Sequence, residues 1–338
     1  MDRIDKLRRT MLALAAGAPL TAACQTADKA RGARDGNGLG RDQASVADFG
    51  ATGDGKRDDT AAVQAAFDSG AARIYIPAGK YRVTDTLVVP DDLLIEGASR
   101  ARSQIVLAET APEGVDVLRV GQQVTLRNFW IRGNWDRRSK GRRGNGIIAW
   151  DRKSGFIHGL TLESMQIDRC KQHGIHIVDG AYNRIWNLDC NTHGSDAVFL
   201  EGMSTASSTT TEIGGVSILS SCSGFAIRIK NCANCKFSFV SEYTMGVGIE
   251  GNNRALSFDG CYFETPFSAD QEYIFDFMSG GSIGVTIKDC YLGMSVKKYV
   301  LQFDKYVKSM VLFNNVNLSG RPYCPAEMNG SVVKLGNS

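Results

Sequence analysis

The chain has 338 residues, of which 43% are hydrophobic and 22% are charged, so it can bury a sizeable core and is neither disordered nor collagen-like. Its formal net charge of +3 is too small for a dedicated nucleic-acid binder. Glycine is abundant (37 residues) and proline is scarce (7 residues), a balance that suits short strands joined by tight turns.

The segment 1–24 has the pattern of an export signal. A charged start is followed by an apolar stretch (residues 11–23) that is too short to span a bilayer as a helix. Arg8-Arg9 resembles the twin-arginine signal of proteins that are exported already folded, and LTAAC resembles a lipoprotein box that ends at Cys24. We therefore expect a periplasmic or cell-surface protein, either lipid-anchored at Cys24 or cleaved near Ala23.

Residues 25–45 are polar and rich in glycine, which predicts a flexible tether. From Val46 onwards, apolar residues alternate with polar ones in short bursts. One set of bursts begins at positions 146, 174, 197, 226 and 248, so that its members recur at intervals in the twenties. A period of this size built from short strands is typical of a solenoid. The leucine and asparagine spacing of leucine-rich repeats is absent from these bursts, which argues against that kind of solenoid. We therefore predict an all-β, right-handed parallel β-helix over residues 46–338.

Such a rod leaves an apolar end open unless a cap covers it. The segment DDTAAVQAAF (58–67) begins with acidic residues, is rich in alanine and is followed by Ser69-Gly70, which predicts a short capping helix. Cys170, Cys190, Cys222, Cys261 and Cys290 follow strands at similar offsets. This spacing predicts an inward ladder of reduced thiols rather than disulfides.

The cap and the strand that follows it carry a family resemblance. The segments VADFGATGDG (46–55), DDT (58–60), QAA (64–66) and IYIPAGKY (74–81) resemble the opening of pectate-lyase-superfamily β-helix proteins. That superfamily includes rhamnogalacturonases and polygalacturonases of glycoside hydrolase family 28, epimerase-like proteins and phage tailspike depolymerases. The resemblance implies the fold and an acidic polysaccharide as partner, but one scaffold hosts several functions. The resemblance does not decide whether the protein is a monomer or a homotrimer.

Members of the superfamily generally bind glycans along one exposed sheet. In the burst AIRIK the isoleucines must point inward, so Arg228 and Lys230 point outward. Aligning the other bursts with this one predicts neighbouring pairs about 5 Å apart. The predicted pairs are His173 with Asp196, Glu201 with Lys230, and Arg228 with Glu250, while Asn145, Trp150 and His176 occupy the same outward strip. Ordinary cross-strand pairs on a solvated sheet are the alternative explanation.

One motif of family 28 is present and three are altered. Arg228-Ile229-Lys230 matches the family's Arg-Ile-Lys. Where the family has Asn-Thr-Asp, Asp-Asp and His-Gly, this chain has Gly144-Asn145, Gln172-His173 and Ser195-Asp196. One carboxylate therefore remains of three, and the family's hydrolytic mechanism does not transfer.

Two chemistries suit the outward residues. Hydrolysis needs two carboxyl groups, for which Asp196 with Glu201 or Glu250 are the candidates. β-Elimination or C5 epimerisation of a uronate needs a cation and a base, for which Arg228 and Lys230, and His173 or His176, are the candidates. The residues favour the second chemistry slightly. A non-catalytic glycan-binding or surface protein is the alternative of a different class.

The loop from Trp135 to Arg143 places five cations within seven residues. It is either a solvated loop or a clamp on an anionic sugar, in which Arg142 and Arg143 bind the charge and Trp135 and Trp150 stack on sugar rings. No nucleic-acid-binding motif accompanies the run. No cofactor or metal site is predicted; calcium assists some lyases of the superfamily, but no residues here are assigned to it.

Overall fold

The computed structural model describes residues 42–136, 143–150, 155–205, 207–218, 223–302, 307–325 and 332–337. Nearly all regular structure in these ranges is β-strand, and every strand pairs in parallel with strands one coil before or after it. The chain is a right-handed parallel β-helix, so the predicted fold class is confirmed.

Nine strands form one sheet, here called the front sheet, in which neighbours follow one another in chain order. They are β5 (Leu87–Val89), β8 (Leu118–Val120), β11 (Ile147–Ala149), β15 (Ile175–Val178), β18 (Val198–Glu201), β20 (Ile227–Lys230), β22 (Val247–Glu250), β25 (Phe275–Phe277) and β28 (Leu301–Gln302).

The remaining 22 strands form two ladders that merge in the long strands β19 (Ser208–Ile218) and β21 (Cys232–Thr244). The first ladder also contains β1 (Gln43–Ser45), β3 (Arg73–Ile76), β6 (Leu94–Gly97), β9 (Thr125–Arg127), β12 (Ile157–His158), β13 (Thr161–Glu163), β16 (Gly180–Trp186), β23 (Asn253–Asp259), β26 (Ser282–Lys288), β29 (Lys308–Phe313) and β31 (Val332–Leu335). The second also contains β2 (Asp54–Asp58), β4 (Gly79–Val83), β7 (Ser103–Leu107), β10 (Trp130–Arg132), β14 (Gln166–Asp168), β17 (Asp189–Asn191), β24 (Tyr262–Pro266), β27 (Tyr291–Leu292) and β30 (Val316–Asn317).

The core is a stack of apolar side chains from successive coils. In the front sheet Ile175, Val198 and Ile227 pair in register and are fully buried. Each such side chain contributes roughly 1.5–3 kcal/mol by its burial. Because side chains alternate across a strand, fixing these residues inward fixes their neighbours outward. The core thereby determines which residues form the outer surface of the front sheet.

The N-terminal end is closed by a 3-10 helix (Val46–Phe49) and by α1 (Thr60–Phe67), which confirms the capping helix. Asp59 precedes α1 and is 2% exposed. Its carboxylate accepts hydrogen bonds from the Thr52 and Gly53 amides at 2.8 and 3.0 Å. The strand β1 (Gln43–Ser45) pairs with β3, so the β-helix begins at Gln43 and the predicted tether was wrong for its last three residues.

Seven cysteines fall in the described ranges, and all are buried thiols. They include Cys170, Cys190, Cys261 and Cys290 of the predicted ladder, whereas Cys222 lies outside the described residues. In the part of the chain that the structure describes, no helix is both long and apolar enough to cross a membrane.

Candidate active site on the front sheet

The outer surface of the front sheet carries a column of side chains in register. Ile148 pairs with His176, His176 with Phe199, and Phe199 with Arg228. A second column places Glu201 directly opposite Lys230. These pairings agree with the alignment predicted from the sequence.

The predicted position of Glu250 was wrong by two residues. Gly248 lies opposite Arg228, and Glu250 lies opposite Lys230. A shift of two keeps the same residues inward, so the alternation of side chains could not distinguish the two registers. The long Arg228 side chain nevertheless reaches Glu250 diagonally, with 3.1 Å between Nη2 and Oε1.

The structure brings His173 and Asp196 together beneath the outer surface. His173 Nδ1 lies 3.1 Å from Asp196 Oδ2, and the two side chains are only 5% and 3% exposed. Among the described residues neither of these atoms has a hydrogen-bond partner. A buried carboxylate oxygen and imidazole nitrogen left without a hydrogen bond are costly, and such groups are common at functional sites.

The other oxygen of Asp196 is fixed by the backbone. Oδ1 accepts a hydrogen bond from the Phe225 amide at 2.8 Å. A Cβ atom on Gly224 would lie 2.4 Å from this oxygen, so the turn approaches closely only because residue 224 is glycine. Arg228 Nη1 lies 3.9 Å from Oδ2 and provides the nearby positive charge. Asp196 is thus a buried carboxyl group that is held by the Phe225 amide and lies between His173 and Arg228.

A second histidine–carboxylate pair is more open to solvent. His176 Nε2 lies 3.0 Å from Glu201 Oε2, and Lys230 Nζ lies 2.9 Å from Glu201 Oε1. The hydrogen bond with His176, together with Lys230, lowers the pKa of Glu201 to about 2. Glu201 is therefore ionised at ordinary pH and accepts the proton of Nε2–H. Neutral His176 then has its lone pair on Nδ1.

Phe199 holds the imidazoles and the guanidinium in place. Its ring stacks on His176 at 4.8 Å between centroids and 11° between planes. His173 lies 5.3 Å from the same ring, and the Arg228 guanidinium carbon lies 5.1 Å from it on a cation–π contact. Phe199 thus contacts both histidines and Arg228, and the two histidine rings also contact each other at 5.3 Å between centroids.

A groove of about 570 Å³ opens above His176 and Glu201. Trp150 and Arg143 line it, as predicted for substrate-binding residues, and so do Asp116 and Arg119, which sequence reasoning missed. The triplet Leu118-Arg119-Val120 repeats the apolar–polar–apolar pattern of Ile227-Arg228-Ile229 and carried the signal that could have identified it. The groove therefore combines a histidine, an aromatic ring and two arginines.

Asn145 and Trp135 are more buried than a substrate-binding residue on an open surface would be. Asn145 lines the groove but is 7% exposed; its Nδ2 donates to Asp116 Oδ1 at 2.8 Å, and its Oδ1 accepts from the His173 amide at 3.2 Å. It connects the coils rather than offering a free amide. Trp135 is 6% exposed, so it cannot stack on a sugar ring. Arg142 and Cys24 lie outside the described residues.

Behind the site lies His193, which is fully buried. Its Nδ1 accepts from the Cys170 amide at 3.4 Å, and Nε2 lies 3.3 Å from Cys190 Sγ. Burial, together with the charge of His173, lowers the pKa of His193 to about 3. His193 is therefore a neutral supporting residue under the loop that carries Asp196.

The sequence did not exclude a calcium site. The carboxylates on the outer surface of the front sheet are not arranged to bind calcium. Asp196, Glu201 and Glu250 each lie against a cationic side chain. Within the described ranges no group of three or more His, Cys, Asp and Glu residues is arranged to hold a metal ion.

Residues 43–265, more than half of the chain, match the family described as "Rhamnogalacturonase A/epimerase, pectate lyase-like". The chain belongs to this family, and the resemblance seen in its opening segments is confirmed.

Two relatives show how broad the family is. The pre-neck appendage protein of Bacillus phage phi29 is 27% identical over 64% of this chain and 26% of its own length. Mannuronan C5-epimerase AlgE5 of Azotobacter vinelandii is 33% identical over 38% of this chain and 15% of its own length. This chain thus spans about a quarter or less of each of these relatives.

Solved structures agree on the fold. The endo-xylogalacturonan hydrolase of Aspergillus tubingensis has a TM-score of 0.65 and 12% identity, with 88% of this chain and 92% of that chain covered. PfbA, a surface adhesin of Streptococcus pneumoniae, has a TM-score of 0.61 and 12% identity, with 81% and 90% covered. At this identity the likeness establishes the β-helix alone.

Proposed function

We propose that the protein is an exported enzyme that cleaves an acidic, uronate-containing polysaccharide by β-elimination in the groove of the front sheet. The observation that carries this proposal is the His176–Glu201–Lys230 arrangement, in which an ionised carboxylate orients an imidazole at the floor of a groove lined by arginines. A positioned base and nearby cations are the parts that proton abstraction beside a carboxylate requires.

In this scheme His176 is the base. Glu201 holds Nε2–H, so Nδ1 takes the proton from C5 of the uronate. The C5–H electron pair forms the C4–C5 double bond as the C4–O bond breaks, and the departing oxygen takes the proton from His176. Arg119 and Arg143 in the groove bind the sugar carboxylate and stabilise the negative charge that develops on it. Trp150 stacks on a sugar ring.

The second histidine pair supports the first. His173 is too buried to meet a polymer, so we assign it, with Asp196, to positioning rather than to proton transfer. Arg228 and Lys230 are about one third exposed and extend the cationic strip along the sheet. They bind the next sugar carboxylate, while Glu250 orients Arg228.

Hydrolysis is disfavoured by the carboxylates around His176. An inverting or retaining hydrolase needs one carboxyl group that is protonated at the start of the reaction. Glu201 has a pKa of about 2. Glu250 is in contact with Arg228, and Asp196 is buried beneath the surface. None of the three is placed to donate a proton to a glycosidic oxygen.

The test uses the full chain on pectins, alginates and bacterial exopolysaccharides. We expect new reducing ends together with the ultraviolet absorbance of an unsaturated uronate. His176→Gln should lower this rate at least about 100-fold, as loss of a general base does, whereas His158→Gln, on another sheet, should not. Reducing ends without the absorbance, or a fully active His176→Gln variant, would refute β-elimination at this site.

A uronate C5-epimerase is the second candidate, favoured by the 33% identity to AlgE5. Both reactions begin with removal of the C5 proton, and they differ in whether the C4–O bond then breaks. Deuterium uptake at C5 in heavy water without cleavage would establish the epimerase. Binding of the polysaccharide without either reaction would indicate a non-catalytic glycan-binding protein.

Export is proposed on the sequence of the segment 1–24 alone. Its two forms remain a lipid anchor at Cys24 and cleavage near Ala23. An enzyme that acts on a polysaccharide must meet it outside the cytoplasm, so the proposed substrate and the proposed export signal agree.

A further inference from the structure

A second pocket lies farther along the front sheet, on its C-terminal side. It has a volume of about 400 Å³ and largely apolar walls, formed by Phe225, Met245, Phe267 and Tyr273. The ring of Phe225 lies over Gly248, where a Cβ atom would come within 2.6 Å of it. The glycine thus makes room for an aromatic wall in line with Arg228.

Asp276 is one of the polar residues that line this pocket. It pairs with Gly248, which in turn pairs with Arg228, so it belongs to the same outward column as His176. It is half-buried, and none of the described salt bridges includes it. Burial, and to a lesser degree the charge of Glu272, raises the pKa of Asp276. Its carboxyl group is suited to hydrogen bonding with an uncharged partner.

The two pockets differ in their charged residues. The groove at His176 is lined by Arg119 and Arg143 as well as by Asp116 and Glu201, of which Asp116 pairs with Arg119 and Glu201 with Lys230. Asp270 and Glu272 line the second pocket with Asp276, and lysines compensate the first two. A uronate carboxylate placed in this pocket would be desolvated beside acidic residues, which is unfavourable.

We infer that this pocket is a subsite for an uncharged sugar whose substituent combines an apolar methyl group with polar atoms, such as an N-acetyl group. Asp276 would bind its polar atoms, and the aromatic walls would pack against the substituent and the ring face. The inference rests on the proposed function to the extent that the groove binds a glycan, but it does not depend on cleavage. It deepens that function by making the substrate a mixed polymer rather than a pure polyuronate.

The positions also define how long a ligand must be. His176 and Asp276 are four strands apart along the column, which corresponds to about 19 Å. One polymer reaches both only if it runs along the axis of the β-helix. Short probes would miss one end, so hexasaccharides are the appropriate test ligands.

The experiment measures calorimetric binding of two probes to the full chain carrying His176→Gln, which prevents turnover. One probe is an alternating hexasaccharide of glucuronate and N-acetylglucosamine, and the other is a hexamer of galacturonate. We expect the alternating probe to bind at least fivefold more tightly. Asp276→Asn should reduce this preference at least threefold by removing a source of negative charge.

Phe267 provides a variant that does not endanger the fold, since its side chain is 42% exposed. Phe267→Ala should lower the affinity for the alternating probe roughly fivefold and leave the affinity for the galacturonate probe unchanged. Phe313→Ala is the matched control, because Phe313 is 45% exposed on the first ladder. Melting temperatures verify that each variant is folded.

Equal affinity for the two probes, no binding of either, or an unchanged preference in both pocket variants would overturn the inference. Failure of the proposed function looks different: the unaltered chain would yield no unsaturated product from any polymer, while the binding preference and its loss in Phe267→Ala would persist.

Discussion

Individual side chains in the groove differ in how firmly their protonation is fixed. Glu201 is bound by both His176 and Lys230, which lowers its pKa to about 2. Acidification to pH 4 therefore leaves its negative charge in place. Its role in the proposed reaction is to select the tautomer of His176, as the carboxylate of a catalytic triad does for its histidine.

Replacing Glu201 by Gln tests this role. An amide cannot provide the charge, and its NH₂ group can donate to the imidazole and favour the wrong tautomer. We expect the turnover of acidic polysaccharide to fall about 100-fold or more, with KM changed much less. Initial rates of unsaturated-product formation measure the effect.

The matched control is Glu212→Gln, since Glu212 lies on the first ladder and, among the described salt bridges, pairs with Arg184 alone, at 3.8 Å. A nitrogen-15 spectrum of the histidine ring would show the tautomer directly. If Glu201→Gln retained full turnover, or if His176 carried its proton on Nδ1 in the unaltered chain, the assignment of His176 as an oriented base would be wrong.

Sequence reasoning predicted which residues are neighbours on the front sheet because the β-helix places residues one coil apart in the chain next to each other in space. Arg228 and Lys230 could be aligned with Phe199 and Glu201 because both strands follow an alanine and then alternate inward and outward residues. Trp135 could not be judged in this way, because it lies in an irregular turn where alternation gives no orientation. Its burial depends on close packing beside Gly194.

Among the elements, front-sheet strands were predictable where they begin with small residues and alternate cleanly. The strand Phe275–Phe277 was missed as a site element, although Asp276 stands between two buried phenylalanines just as Arg228 stands between two isoleucines. The register of β22 was misplaced because Gly248 has no side chain to mark the outer face. Such choices are decided by packing between coils, which the sequence of one strand does not contain.

The turn from β17 to β18 carries a buried histidine whose titration is coupled to folding. His193 has a pKa of about 3 in the folded chain, against about 6.5 when unfolded. Between these pH values the unfolded state binds one more proton than the folded state. The unfolding free energy is therefore highest above pH 6.5, as far as His193 is concerned, and decreases as the pH falls towards 3. The unfolding free energy therefore changes by at most about 1.4 kcal/mol per pH unit through this one group.

His193→Gln should remove that slope. We measure the unfolding free energy by urea titration between pH 4 and 6. We expect its slope against pH in the variant to correspond to about one proton fewer taken up on unfolding than in the unaltered chain. Absolute stability will also fall, but the difference in slope reports the histidine alone. His158→Gln serves as the control. Parallel pH profiles for His193→Gln and the unaltered chain would show that His193 is not held neutral.

Over the whole molecule, charge is balanced and attraction for an anionic polymer has to be local. Four basic and two acidic residues lie in the segment 1–24, so the rest of the chain carries a formal charge of +1. A net charge this small provides little long-range steering. The cations that matter are those along the front sheet, near which an anionic polymer lies within a Debye length, about 8 Å at physiological salt.

Arg143→Gln tests whether the groove provides this attraction. Arg143 is exposed, lines the groove and belongs to none of the described salt bridges, so its charge is available to a ligand. We expect the affinity for an acidic polysaccharide to fall roughly threefold to tenfold at low ionic strength, and the loss to shrink as salt screens the contact. Arg254→Gln, an exposed arginine on the first ladder, should change neither the affinity nor its salt dependence. If both variants reduced the affinity equally, the attraction would be a property of the whole surface, and the groove would not be the specific binding site.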